Sequence, residues 1–215
     1  MPDELRRLAQ ALSDEEFERV YGPVAAREPA DAVRLLDGLD APWWIVGGWA
    51  IQAFTGVDRS HRDLDVGMLE RDVSSLVEHL APTHQAWAVG GGMLCPILAP
   101  NQELPDWMHQ IWVREDASRP WLLDIILAPD RDGRWVFTRD PSYDDDIANV
   151  TWIAADGLRY QRPEVTLAFK AALNREKDQQ DLDETWPLLD ASARAWLTET
   201  VARLHPDHEW LDRIG

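Results

Sequence analysis

The chain is short of cysteine, lysine and uninterrupted apolar sequence, and each shortage removes a class of protein. The single cysteine, Cys95, excludes an internal disulfide framework and fits a reducing compartment. No apolar run approaches the roughly 20 residues needed to span a bilayer, so no membrane partner is expected. The opening "MPDELRRLAQ" lacks the apolar core of a secretory signal, which makes the cytoplasm the expected location. Positive charge is scarce: 21 Lys and Arg stand against 39 Asp and Glu, for a formal net charge of -18. That balance disfavours binding to a nucleic-acid backbone and suits a cationic or neutral partner. Lys170 and Lys177 are the only lysines. Two nucleotide signatures are also missing. No glycine-rich loop ends in Lys then Ser or Thr, and no three-glycine dinucleotide fingerprint follows a strand.

What is present suits one compact domain, or a core with a small attachment: 215 residues, 45% hydrophobic, with 12 tryptophans, several inside apolar runs. "DELRRLAQAL" and "SDEEFERVY" read as short amphipathic helices, the second capped by Ser13 with Glu16 at its third position. "ADAVRLLDGL" is a third helix. "WWIV" reads as a buried strand, "WAIQAF" as a helix ending near Gly56, "LDVGM" as a strand and "ERDVSSLVEHL" as a helix closed by Pro82. "QAWAV" and "MLCPIL" flank a turn at Gly90, Gly91 and Gly92. "HQIWVRE" and "WLLDIIL" read as adjacent strands, with "RDGRWVF" folding back as a hairpin on the latter and "YDDDIANV" as loop. From Pro163 the chain is almost continuously helical, with breaks near Lys177 and Pro187.

Within this outline, "DLDVGM" places two carboxylates in an otherwise apolar strand. Alternate strand residues share a face about 6.6 Å apart, so Asp63 and Asp65 can point into one cleft while Leu64 and Val66 pack. Clustered carboxylates repel each other and lose hydration, and a divalent cation offsets both costs. Asp124 interrupts "WLLDIIL". On a strand beside "DLDVGM" it reaches the same cleft; otherwise it pairs with an arginine or faces water from an edge strand. Gly47 and Gly48, between strand and helix, let main-chain amides approach an anion, although tight turns use such pairs anyway. Arg59, His61 and Arg62 precede the carboxylate strand. They supply local positive charge; alternatively Arg59 or Arg62 pairs with Asp63, and His61 caps or orients the loop. Lys170 and Lys177, seven apart, fall near one face if their helix continues; that face then either contacts nucleotide or is simply solvated.

"GGWAIQAFTGVDRSHRDLDVGM" resembles the nucleotidyltransferase superfamily that includes DNA polymerase beta, and most closely its aminoglycoside 2''-adenylyltransferase and lincosamide nucleotidyltransferase branch. Gly47 and Gly48 match the family's glycine pair, Asp63 and Asp65 its acidic-x-acidic motif, and Asp124 its third carboxylate. "RPEVTLAFKAALNREKDQQDLDETWPLL" resembles the helical segment that follows the catalytic core, where Lys170 and Lys177 are the carry-over positions for nucleotide phosphates. The resemblance covers most of Trp43 to Leu189 and is poor from Ala86 to Glu115, where an acceptor would be selected.

The resemblance implies an α/β (α+β) nucleotidyltransferase fold, a mixed central sheet flanked by helices with a C-terminal helical segment. Residues 1–160 would form the core with N-terminal helices, and residues 161–215 a helical tail completing the nucleotide cleft. It implies Mg²⁺-dependent transfer of AMP from ATP to a hydroxyl of a small acceptor such as an aminoglycoside, releasing pyrophosphate. Two ions would be held by Asp63, Asp65 and Asp124, and Asp124 would act as base or metal ligand. Gly47, Gly48, Arg59, Arg62, Lys170 and Lys177 would contact the nucleotide. For a cationic acceptor, Glu103, Asp106, Glu115, Asp116 and Asp144 to Asp146 are candidate lining groups. Trp107, Trp112 and Trp121 offer either cation–π faces or core packing. Two alternatives stay open: a toxin-like transferase acting on tRNA or protein, and a non-catalytic nucleotide-binding or regulatory member. Nothing in the sequence indicates the oligomeric state.

Overall fold

The computed structural model of the protein describes residues 7–8 and 12–215; most of the helix expected over residues 3–12 lies outside them. Along the chain come α1 (Asp14–Tyr21), α2 (Pro29–Leu35), β1 (Trp43–Ile45), α3 (Gly47–Thr55), β2 (Asp65–Leu69), α4 (Val73–Leu80), β3 (Gln85–Gly90), β4 (Met93–Pro96), β5 (Gln110–Arg114) and β6 (Leu123–Ala128). They are followed by β7 (Asp130–Arg131), β8 (Arg134–Val136), β9 (Asp144–Asp145), α5 (Ile147–Val150), β10 (Thr151–Ile153), β11 (Arg159–Gln161), α6 (Pro163–Ala171), α7 (Glu176–Thr185), α8 (Ala191–Leu204) and α9 (Leu211–Ile214). The contacts divide the chain into two compact units, Met1–Trp43 with His61–Pro129 and Trp44–Ser60 with Asp130–Gly215.

The first unit is built on strands in the order β2-β6-β5-β3-β4. β2 and β6 run parallel and the other neighbours antiparallel. The alternation of the sequence becomes the two faces of this sheet. Val66, Ile125, Ile111 and Ala88 lie side by side across four strands, all at 0% exposure. Fully burying each Val or Ile stabilises the fold by about 1.5–3 kcal/mol. The opposite face carries Asp65, Asp124, Trp112 and Trp87, again in one row. α4 turns Leu76, Val77 and Leu80 inward. α1 starts as the sequence predicts: the Ser13 hydroxyl accepts the Glu16 amide at 3.3 Å, and the Glu16 carboxylate accepts the Ser13 amide at 2.8 Å. Gly91 and Gly92, with φ of 55° and 78°, make the turn from β3 to β4. Gly90 is a glycine for a different reason: a Cβ there would stand 2.5 Å from the Trp107 carbonyl oxygen.

In the second unit β1 pairs parallel with β11, and β11 antiparallel with β10. α6 is buried along nearly its whole length, which suits a helix without a polar face. Three expectations are corrected here. "RDGRWVF" does not fold back on the strand of Asp124; Arg134–Val136 pair with Asp130–Arg131, because Asp132 and Gly133 make a left-handed turn directly after β7. "YDDDIANV" is not loop: Asp144–Asp145 form β9 against β8, and Ile147–Val150 form α5. Arg131 and Arg134 draw those acids in, the latter donating from Nε to Asp144 at 2.6 Å. The helical tail breaks earlier than expected. Asn174 adopts φ 47°, and Asp178 caps α7 by accepting the Arg175 amide at 3.0 Å, so the helix of Lys170 does not continue to Lys177. Among the described residues no helix is long and apolar enough to cross a membrane.

Candidate active site

Asp65 and Asp124 are direct cross-strand partners on β2 and β6. Parallel neighbours lie about 4.8 Å apart, so their carboxylates emerge side by side from one face. The pairing is fixed from below by Val66 opposite Ile125, and at its edge by the Asp124 amide donating to the Leu64 carbonyl at 3.0 Å. β2 begins at Asp65, so Asp63 sits in the exposed segment leading into the strand. Burial first, and the negative charge of Asp65 next, hold the Asp124 carboxyl well above the ordinary carboxylate range; the Trp112 indole opposes this, and Asp63 adds a smaller push upward. Asp124 Oδ2 accepts from the Gln110 side-chain amide at 2.9 Å, while Oδ1 is buried without a hydrogen-bond partner.

This donor set fits a divalent cation. Asp124 Oδ1 is buried without a hydrogen bond, and the charge of Asp65 beside it makes ionisation of Asp124 costly. Among the described residues no three of His, Cys, Asp and Glu gather closely enough to cage an ion. Mg²⁺ does not need such a cage, since it is commonly held by one or two carboxylates together with water and substrate phosphates.

Beyond Asp124 the same face becomes aromatic. Trp112, its cross-strand partner on β5, packs at 5.7 Å from Phe17 and 5.9 Å from Tyr21 of α1 and at 5.3 Å from Trp121. Trp121 is core: 4% exposed, with its indole N–H donating to the Tyr21 carbonyl at 2.7 Å. Arg62 lies over the Phe17 ring at 5.1 Å and pairs with Asp14, which ties it to α1. Glu103 and Asp106 line a cavity of about 620 Å³ with Glu70 and His109. Glu70 follows the far end of β2, so that cavity lies at the opposite end of the strand from Asp65. Glu115 pairs with Arg119 at 3.6 Å, and Asp116 accepts from Ser118.

The remaining predicted residues belong to the second unit. Gly47 and Gly48 open α3; Gly47 has φ 65°, a conformation that glycine adopts without steric cost. The first turn therefore leaves amides without side chains around them, an arrangement suited to an anion. Arg59 pairs with Asp181. Lys170, 6% exposed, lies 2.7 Å from Asp181 and 3.3 Å from Asp178, inside an internal ion network that Arg175 completes. Lys177 is exposed in the first turn of α7. The two lysines would share a face only on one continuous helix, and the break after Ala171 puts them on separate helices.

Sequence reasoning missed Gln110, the α1 aromatics, and Asp178 with Asp181. Gln110 shares the strand parity of Trp112 in "HQIWVRE", and the spacing of Asp178 and Asp181 puts both on the inward face of one helical turn. Those were the available signals.

Residues 30–93 match the family model of aminoglycoside-2''-adenylyltransferase, a span that holds Gly47, Gly48, Asp63 and Asp65 and ends before Asp124. The crystal structure of ANT(2'')-Ia in complex with adenylyl-2''-tobramycin is similar with a TM-score of 0.51 at 15% identity, over 81% of this chain and 95% of that one. The chain shares its fold with aminoglycoside and lincosamide adenylyltransferase structures. The solution structure of ANT(2'')-Ia gives a TM-score of 0.50 at 18% identity, covering 86% of this chain and 92% of that one. The lincomycin-bound lincosamide adenylyltransferase LnuA gives 0.50 at 18%, covering 75% and 96%. No curated protein matches the chain. The nucleotidyltransferase resemblance read from "GGWAIQAFTG" and "RSHRDLD" thus meets a family match over the same residues.

Proposed function

We propose that the protein is a metal-dependent nucleotidyltransferase that moves AMP from ATP to a hydroxyl of a small, cationic antibiotic-like acceptor, releasing pyrophosphate. The observation that carries this reading is the register pair Asp65 and Asp124, two carboxylates opposite each other with one oxygen unused. Asp65 and Asp124, with Asp63 from the preceding segment, would hold Mg²⁺. Bound there, the ion would supply positive charge against the phosphates and make the acceptor hydroxyl easier to deprotonate. Asp124 takes the acceptor's hydroxyl proton as the new bond forms. The acceptor oxygen forms the new bond to the α-phosphorus as the bond to pyrophosphate breaks. The open first turn of α3, at Gly47 and Gly48, binds phosphate oxygens through main-chain amides.

The acceptor class rests on the family match and on the aromatic wall of Phe17, Tyr21 and Trp112 beside Asp124, which gives a hydroxylated ring or ammonium group an apolar face. The acidic composition favours a cation over a polyanion such as tRNA. The test is incubation with ATP and Mg²⁺ against pools of aminoglycosides, lincosamides, tRNA and protein, read by mass spectrometry. One adenylyl group added to a small cationic acceptor supports the reading; labelling of tRNA or protein alone overturns the acceptor class.

A further inference from the structure

We propose that Gln110 is a positioning residue for Asp124: its side-chain amide holds one carboxylate oxygen, Oδ2, and thereby fixes the orientation of the carboxylate. This rests on the reading of Asp124 given above. Gln110 lies on β5 opposite Ile126, two residues along from Trp112, which is opposite Asp124. It is thus the diagonal same-face neighbour of the carboxylate, at a spacing of about 7–8 Å that a long side chain crosses. The contact is a 2.9 Å N–H···O bond to Oδ2, and Oδ1 has no partner.

The residue type matters as much as the contact. An arginine or lysine at this position would orient the carboxylate but also neutralise it, competing with a metal or a proton for its charge. A primary amide donates one hydrogen bond and leaves the negative charge in place. An asparagine, one methylene shorter, falls out of hydrogen-bond reach across the diagonal. Glutamine is therefore the common residue that is long enough, donates, and carries no charge. Of the other groups facing Asp124, Asp65 repels it, and the Trp112 indole is a second uncharged donor that approaches from directly across the strands rather than along the diagonal.

Crystal structures of the wild type and of Gln110→Met, a near-isosteric change without the donor, read the orientation directly. The Asp124 carboxylate is expected to rotate or to occupy two orientations in Gln110→Met. An unchanged single orientation overturns the proposal whatever the activity. Mn²⁺ titration by calorimetry adds a readout that a merely structural role would not move. Hydrogen bonds to charged groups are strong enough that affinity should fall about ten- to one-hundredfold in Gln110→Met and in Gln110→Asn, with melting temperatures close to wild type. In transfer assays kcat should fall by a similar factor while KM for ATP changes less than about twofold, as for a group that acts on the reacting centre. Unchanged Mn²⁺ affinity in both variants also overturns the proposal. If the wild type itself binds no Mn²⁺, the metal-dependent function fails, and the crystallographic comparison still decides the role of Gln110.

Discussion

Asp181→Ala should be among the most destabilising single changes in the second unit. Asp181 is 1% exposed and serves two cations: Lys170 at 2.7 Å, itself 8% exposed at its side chain, and Arg59. Removing it leaves Lys170 with only the 3.3 Å contact to Asp178 and takes from Arg59 the carboxylate it pairs with. Breaking a buried pair by deleting one partner costs about 3–5 kcal/mol, because a desolvated charge remains. For a chain of this size each kcal/mol lowers the melting temperature by roughly 2–4 °C, so the loss should be roughly 6–20 °C. Lys170→Met should cost less, about 2–3 kcal/mol, since Asp178 keeps Arg175 and Asp181 keeps Arg59. Asp183→Ala, in the same helix, is the internal control: its pair with Arg213 is solvent-exposed, and such pairs contribute about 0–1 kcal/mol. Urea denaturation followed by circular dichroism measures all three. If Asp181→Ala and Asp183→Ala cost the same, the network does not have the energetic role that its burial implies.

Asp178 supplies a pH dependence. Burial pushes its carboxyl up, but hydrogen bonds from the Arg175 side chain and backbone, with the charges of Lys170 and Arg175, outweigh this and hold it below its ordinary value. The folded state therefore binds its proton more weakly than the unfolded state does. The resulting stability is present above the unfolded value of about 3.9 and is lost as pH falls through the depressed folded value. Asp178→Asn should flatten the acid limb of a melting-temperature profile below about pH 4; an unchanged limb refutes the assignment. Gly90→Ala should cost about 1–3 kcal/mol, because the new methyl meets the Trp107 carbonyl oxygen at 2.5 Å; a melting temperature equal to wild type shows that the loop yields freely. Lys177→Ala should change stability by no more than about 0.5 kcal/mol while weakening ATP binding in calorimetry; unchanged affinity assigns Lys177 to a solvated face.

The sequence made legible what depends on short-range pattern. Alternation placed β2, β5 and β6 and put Asp65 and Asp124 on one face, because a strand's two-residue period lets a carboxylate and its apolar neighbours separate cleanly. The Ser13 cap and the Gly90–Gly92 turn were readable because their chemistry is local. What stayed hidden depends on partners distant in sequence. Arg59 meets Asp181 across 122 positions, and Arg62 meets Asp14 across 48, so neither pairing is visible in a window of residues. The cavity acids Glu103 and Asp106 looked eligible for an acceptor site until the strand direction put them at the far end of β2. In the sequence the break between α6 and α7 reads a few residues late, near Lys177, because alanine, leucine and lysine around it all favour helix. One left-handed residue, Asn174, and one capping carboxylate, Asp178, override that propensity.

Pyrophosphate release from ATP, measured with a small cationic acceptor in wild type, Asp65→Asn and Asp124→Asn, with Mg²⁺ and with EDTA, tests the central claim most directly. Asp65 and Asp124 are direct partners in one register pair and share one task, so each substitution should reduce the Mg²⁺-dependent rate by a factor of about 100 or more while the fold, read by circular dichroism, is retained. EDTA should abolish the wild-type rate. Acceptor-dependent release that persists in EDTA, or that survives both substitutions, would contradict the assignment of this carboxylate pair to metal-dependent nucleotidyl transfer.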